Sequence, residues 1–171
     1  MLAVGEGDLK AFEELVHRHQ AWAWGVAYRF LGHRQESEDV VQDAFLRLLE
    51  ASGRYQPTSS LKTYLYKIIT RLCLDRAKKK QPRYLDVVPD VPASTLDAPR
   101  EMERTQQADA VRAALDALAS QQRMAVVLRY YENLNYQEIA SALGTTPKAV
   151  DRLLARGRDR LQEILKTRED V

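Results

Sequence analysis

The clearest chemistry in this sequence lies near its C-terminal end, where Lys148, Asp151, Arg152, Ala155 and Arg156 recur at helical spacing. Guanidinium forks at Arg152 and Arg156 match the O6/N7 edge of guanine in a major groove. A carboxylate such as Asp151 can accept a hydrogen bond from a cytosine amino group. Lys148, at the helix start, suits a phosphate, which positions a protein without reading sequence. An isolated charged helix with these residues would be read as a solvated surface, so the elements around it decide.

Those elements form a tight pair. The stretch Leu134-Asn135-Tyr136-Gln137-Glu138-Ile139-Ala140 leads into a short helix over 136–143, which Gly144 ends in a left-handed conformation. Thr146 is placed to cap the next helix, with Pro147 at its first position, where a missing N–H costs nothing. Val150, Leu153, Leu154, Gly157 and Leu161 fall on the side opposite the arginines. Two helices joined by so tight a turn form a helix-turn-helix, which favours DNA over the bland surface reading.

Helical periodicity runs through the remainder, with no strand-type alternation. Leu9, Phe12, Leu15 and Val16 begin a first helix, which Trp22, Trp24, Val26, Phe30 and Leu31 carry to a break at Gly32-His33-Arg34. Ser37 is the expected N-cap of the next, with Glu38 and Asp39 in its first turn and Val40, Val41, Ala44, Phe45, Leu48 and Leu49 as its apolar stripe. Residues 52–60 are a loop by composition. Leu61 to Leu74 follow as a helix ending in the basic run Arg76, Lys78, Lys79, Lys80 and Arg83. Prolines 89, 92 and 99 then lie in a stretch where residues 81–110 hold three basic and six acidic side chains, the composition of an extended linker. The expectation is an all-α chain of two small helical domains, 1–83 and 104–171, joined by a flexible linker, 84–103.

Composition narrows the function classes. Of the 171 residues 45% are hydrophobic and 29% charged, with a net charge of +2, the balance of an ordinary soluble protein. One cysteine, Cys73, excludes an internal disulfide and a cysteine-cluster zinc site, and among Leu72 and Leu74 it reads as an inert thiol. His17 and His19 point in different directions on their helix, and with His33 they lack metal-type partners. Trp22 and Trp24 read as core or linker-packing residues. The N-terminus has no signal-peptide pattern, and no run of about 18 apolar residues is present to span a membrane.

Four blocks resemble the sigma-70 family in order along the chain. Gly7-Asp8…Ala11-Phe12, then 38–48 (Glu-Asp-Val-Val-Gln-Asp-Ala-Phe-Leu-Arg-Leu), then Lys62-Thr63-Tyr64-Leu65-Tyr66-Lys67-Ile68…Leu74-Asp75 resemble its domain two. The Leu134–Ala140 stretch with Leu143-Gly144 resembles domain four. The short linker and the absence of a domain three look like the extracytoplasmic-function (ECF) subfamily. The resemblance implies a factor that binds core RNA polymerase and directs promoter-specific initiation, without enzymatic activity, cofactor, metal or small-molecule substrate.

It also implies roles for particular residues. Asp39, Gln42, Asp43 and Leu46 correspond to the helix that docks the polymerase β′ coiled coil, and the second domain to the part that meets the β flap. Ala51, Tyr55, Gln56, Ser59, Ser60, Ile68 and Arg71 match the minus-ten pocket for a flipped base, where Tyr55 offers a stacking face. Arg76, Lys78, Lys79, Lys80 and Arg83 match the contacts to duplex DNA just upstream. Thr146, Lys148, Asp151, Arg152, Ala155 and Arg156 match the minus-thirty-five readers. Tyr64 stands where the family usually has Trp, Arg71 where it usually has Asn, and Asp151-Arg152 where a Lys/Arg-Ser pair is commoner. These departures leave the preferred bases open. The implied location is the cytoplasm, with an anti-sigma factor as partner that can hold the protein at the inner membrane. Two other readings stay open: a stand-alone helix-turn-helix regulator, which has no need of the Asp39/Gln42/Asp43 helix, and a nuclease, for which no carboxylate cluster is convincing.

Overall fold

In the computed structural model, residues 1–79 and 110–169 are described, with side chains to residue 166. Lys80, Arg83 and the expected linker 84–103 lie outside the described residues, as do the expected domain boundaries.

A short helix α1 (Leu2–Gly5) precedes α2 (Leu9–Leu31), α3 (Arg34–Ala51) and α4 (Leu61–Lys79). Asp8 starts α2 by accepting the Ala11 N–H at 3.0 Å, and Gly32 ends it at φ 68°. Helix α3 corrects one expectation. It begins three residues before Ser37, with His33 as its N-cap, and Ser37 is fully buried with its hydroxyl donating to the His33 carbonyl at 2.7 Å. A serine inside a helix can satisfy itself in this way on the preceding turn, so it marked the first turn rather than the cap. Val26 and Phe30 of α2, Val40, Ala44 and Leu48 of α3, and Leu65 and Ile69 of α4 are almost wholly removed from water and fill the space between these helices.

The second group comprises α5 (residues 110–116), α6 (Ser120–Val126), a π turn (Val127–Tyr131), α7 (Tyr136–Leu143) and α8 (Pro147–Glu169). Among the described residues there is no strand, as expected. The first turn of α7 is closed by a capping box: Asn135 Oδ1 accepts the Glu138 N–H at 3.0 Å, and Glu138 accepts the Asn135 N–H at 2.8 Å.

The expectation of two modules apart on a tether needs one addition. The buried residues of both groups form a single hydrophobic cluster, with α4 packed against α7 and α2 against the π turn. Polar bonds cross the same boundary. Arg123 donates to the Phe30 carbonyl at 3.0 Å, and Arg112 to the Tyr28 hydroxyl at 2.6 Å. Apolar faces on short helix groups leave surface that neither group can bury alone, and here each covers the other's.

Candidate nucleic-acid interface

The helix-turn-helix is built as its sequence dictates. Gly144 ends α7 at φ 64°, and Thr146 Oγ1 accepts the Ala149 N–H at 3.2 Å to start α8 at Pro147. Val150 and Leu154 are buried, which fixes how α8 is rotated. Gly157 lets α8 approach α6 closely, because a Cβ there would lie 3.1 Å from Val126 Cγ2. Helix α8 therefore presents Lys148, Asp151, Arg152 and Arg156 outward, with Ala155 half-buried among them. Arg152 and Arg156 line a cavity of about 200 Å³ with Gln121 and Thr145. Among the described residues nothing pairs with Lys148, Arg152 or Arg156, so their donors are available. Thr146 is exposed, but its hydroxyl already serves as the cap.

The loop before α4 is less uniform. A 3-10 turn (Ser52–Arg54) leads to Tyr55, whose hydroxyl approaches the Ser59 carbonyl at 3.4 Å and whose ring meets Tyr64 edge-on at 5.8 Å. Tyr64, Ile68 and Arg71 recur at four- and three-residue intervals on α4, so Tyr64 connects the loop to the helix face carrying the other two. Gln56, Ser59 and Arg71 are exposed, while Ala51 and Ile68 are half-buried. Ser60 is committed to structure. Its Oγ accepts the Thr63 N–H at 3.1 Å and lies 2.8 Å from the Thr63 hydroxyl, capping α4.

Arg76 was expected among the DNA-facing cations, but it folds onto α3. Its guanidinium bonds Asp39 and Asp43 at 3.3 Å each and donates to the Glu36 carbonyl at 3.1 Å. Lys78 lies 3.9 Å from Asp75 and Lys79 is exposed. Asp39 and Asp43 are thus ordered as a pair by a residue from another helix. Beside them, Gln42 and the half-exposed Leu46 border an open apolar groove of about 580 Å³ walled by Phe12, Val16, Trp24 and Phe45.

Sequence reasoning missed the α2 wall of this groove, although large apolar residues beyond the core stripe were a signal for it. It also missed Glu132, at the boundary between the two groups, whose partners lie far away in the chain and left no signal. Burial, and next the Glu132 charge, hold the Tyr66 phenol well above its usual pKa, so it remains a donor. Burial pushes the Cys73 thiol up to about 12, consistent with an unreactive core thiol. No group of His, Cys, Asp and Glu among the described residues can hold a metal ion, and no described helix is long and apolar enough to cross a membrane.

With this geometry in hand, the likenesses to known proteins are specific. Sigma-70 region 2 matches residues 15–83, and Sigma-70, region 4 matches residues 108–161. The ECF RNA polymerase sigma factor SigE of Mycolicibacterium smegmatis is 30% identical over 164 residues, 94% of this chain. The ECF RNA polymerase sigma factor SigW of Bacillus subtilis is 26% identical over 174 residues, 95% of this chain. The chain spans 63% of the length of the first relative and 93% of the second. Its fold is similar to that of the sigma factor RpoE, solved in complex with the anti-sigma factor NepR from Bartonella quintana. The TM-score is 0.70 at 22% identity, covering 92% of this chain and 98% of that one. With both conserved regions matched in order and ECF factors among its relatives, the chain belongs to the sigma-70 family, in its ECF branch.

Proposed function

We propose that this sigma factor binds core RNA polymerase through α3 and directs it to promoters whose two elements are read by separate modules. Arg152 and Arg156 read bases of the minus-thirty-five element in the major groove, Asp151 and Ala155 flank them, and Lys148 holds phosphate. Tyr55, Gln56 and Ser59, with Ala51, Ile68 and Arg71, receive an unpaired base of the minus-ten element. Stacking on Tyr55, worth about 1–3 kcal/mol per base, offsets part of the cost of unpairing. The cationic charge of Arg71 directs its contact to phosphate. Ser60 and Thr146 contribute by capping the helices that carry these readers. Lys78 and Lys79 face the duplex upstream of the opened bases, with Lys80 and Arg83 continuing the run. The factor works without catalysis, in the cytoplasm.

One observation carries the reading: a bare recognition face on α8 and an open groove beside Gln42 and Leu46 occur on one chain. A self-sufficient repressor needs only the first. The groove is apolar with amide and carboxylate groups at its edge, the mixture expected of a specific, reversible protein interface. The β′ coiled coil is the occupant proposed here, and the β flap meets the second module. Arg76 is assigned to this face as the residue that positions Asp39 and Asp43. Because RpoE is solved with the anti-sigma factor NepR, an anti-sigma factor competing for the same surfaces is the proposed regulator.

Run-off transcription with core polymerase on a randomised promoter library tests the proposal. Specific transcripts that require both core and this chain are expected, and the selected sequences name both elements. Specific duplex binding by the chain alone, with no transcription when core is added, would overturn it in favour of a stand-alone regulator.

A further inference from the structure

Glu132 follows the π turn of the second module, yet its carboxylate is bonded entirely by the first. Trp22 Nε1 donates to Oε2 at 2.7 Å and the Tyr66 hydroxyl donates to the same oxygen at 2.9 Å, while Arg29 bonds Oε1 at 3.1 Å. The side chain is only 7% exposed. Around it, the Trp22 and Tyr66 rings meet edge-on at 4.6 Å, and Arg29 lies 5.1 Å from the Tyr131 ring. Lys62 covers Trp22 at 5.2 Å. Removing a carboxylate from water is expensive unless donors replace the lost hydration. Among the described residues every donor to it comes from α2 or α4, so its burial is tolerable only while the modules are together.

The closed arrangement conflicts with reading two promoter elements at once. Elements named for positions minus ten and minus thirty-five lie about 25 base pairs apart, roughly 85 Å of duplex at 3.4 Å per pair. With α7 seated on α4, even the 23 residues of α8 extend only about 34 Å. We propose that Glu132 is an interdomain latch that holds the free chain closed and unable to engage both elements, so promoter reading requires the latch to release. The consequence for promoters rests on the sigma-factor reading; the closure does not.

Single-molecule energy transfer in the full chain, with dyes at Lys10→Cys and Lys166→Cys, reads the closure without polymerase. Both sites are exposed, and the natural Cys73 is buried. The unmodified latch should give a dominant high-transfer population. Glu132→Ala should raise the low-transfer population by about tenfold or more, and Tyr66→Phe, which keeps the ring and removes only the donor, should raise it by less. Unchanged helical circular dichroism separates opening from unfolding. A chain already open with Glu132 intact, or variants that leave the populations unchanged, would overturn the latch. Addition of core polymerase and a promoter carrying both elements should convert the high-transfer population to the low one. A closed chain that starts transcription without opening would overturn the inhibitory role while leaving the sigma-factor reading in place.

Discussion

The helix-turn-helix and the face of α3 proposed to dock polymerase are made in opposite ways. The caps that start and stop the helices of the first are local: Asn135 with Glu138, Gly144 after Leu143, and Thr146 with Ala149, each within about one turn. The docking face depends on Arg76, which reaches Asp39 and Asp43 from 37 and 33 residues away, and on a groove shared with α2. A recognition helix that must enter a groove at a set angle gains from rigid local caps. A face that docks a partner reversibly, as proposed for α3, can depend on packing between helices. The two should therefore fail differently when they are damaged.

The largest test removes core volume from each. Leu154 is 1% exposed beneath the recognition helix, and Leu65 is fully buried in the first module. Each truncation to Ala should cost about 2–5 kcal/mol in urea denaturation. Because the buried residues form one cluster, both variants should shift one shared transition followed by circular dichroism. Two separate transitions would show that the modules melt alone and that their contact adds little.

Chemistry on the exposed face sharpens the contrast. Arg152→Ala should weaken binding to the selected minus-thirty-five duplex by about 1–3 kcal/mol and relax the preference at one base pair. Lys148→Ala should weaken all duplexes alike and lower the log–log salt slope by about 0.9. Titrations at several salt concentrations distinguish the two. A smaller effect is expected from Asn135→Ala, which removes the capping box and should cost about 0.5–2 kcal/mol of stability. Its loss of duplex affinity should be no larger than its loss of stability explains.

What could be read from the sequence follows the same division. Gly144, Thr146 and Pro147 stated their roles because capping is decided by neighbours three or four residues away. Ser37 misled because a serine fits both an N-cap and a first turn, and only the tertiary burial of its hydroxyl decides between them. The direction of Arg76 was not legible, because a basic run records charge but not direction, and two carboxylates on another helix bond one member of it. Glu132 was invisible: its donors at 22, 29 and 66 are separated from it by more than sixty residues in every case. Pairings of that kind become legible only once helices are packed.

Arg76 gives the smallest energetic effect and the sharpest separation of roles. Its side chain is 26% exposed and its carboxylate partners are 46% and 48% exposed, so the ion pairs are well screened. Arg76→Ala should cost no more than about 1 kcal/mol of stability. If Arg76 belongs to the α3 face, its loss leaves the salt slope of promoter-duplex binding unchanged. Lys79→Ala, by contrast, should lower that slope by about 0.9 for the phosphate it neutralises. Arg76→Ala should instead weaken the complex with core polymerase, because Asp39 and Asp43 lose the fork that fixes their spacing. Arg76→Lys should restore this only in part, since an ammonium cannot bridge both carboxylates with planar geometry. A lowered duplex salt slope together with unaltered core affinity would return Arg76 to the DNA-facing run, and α3 would then owe its order to its own sequence.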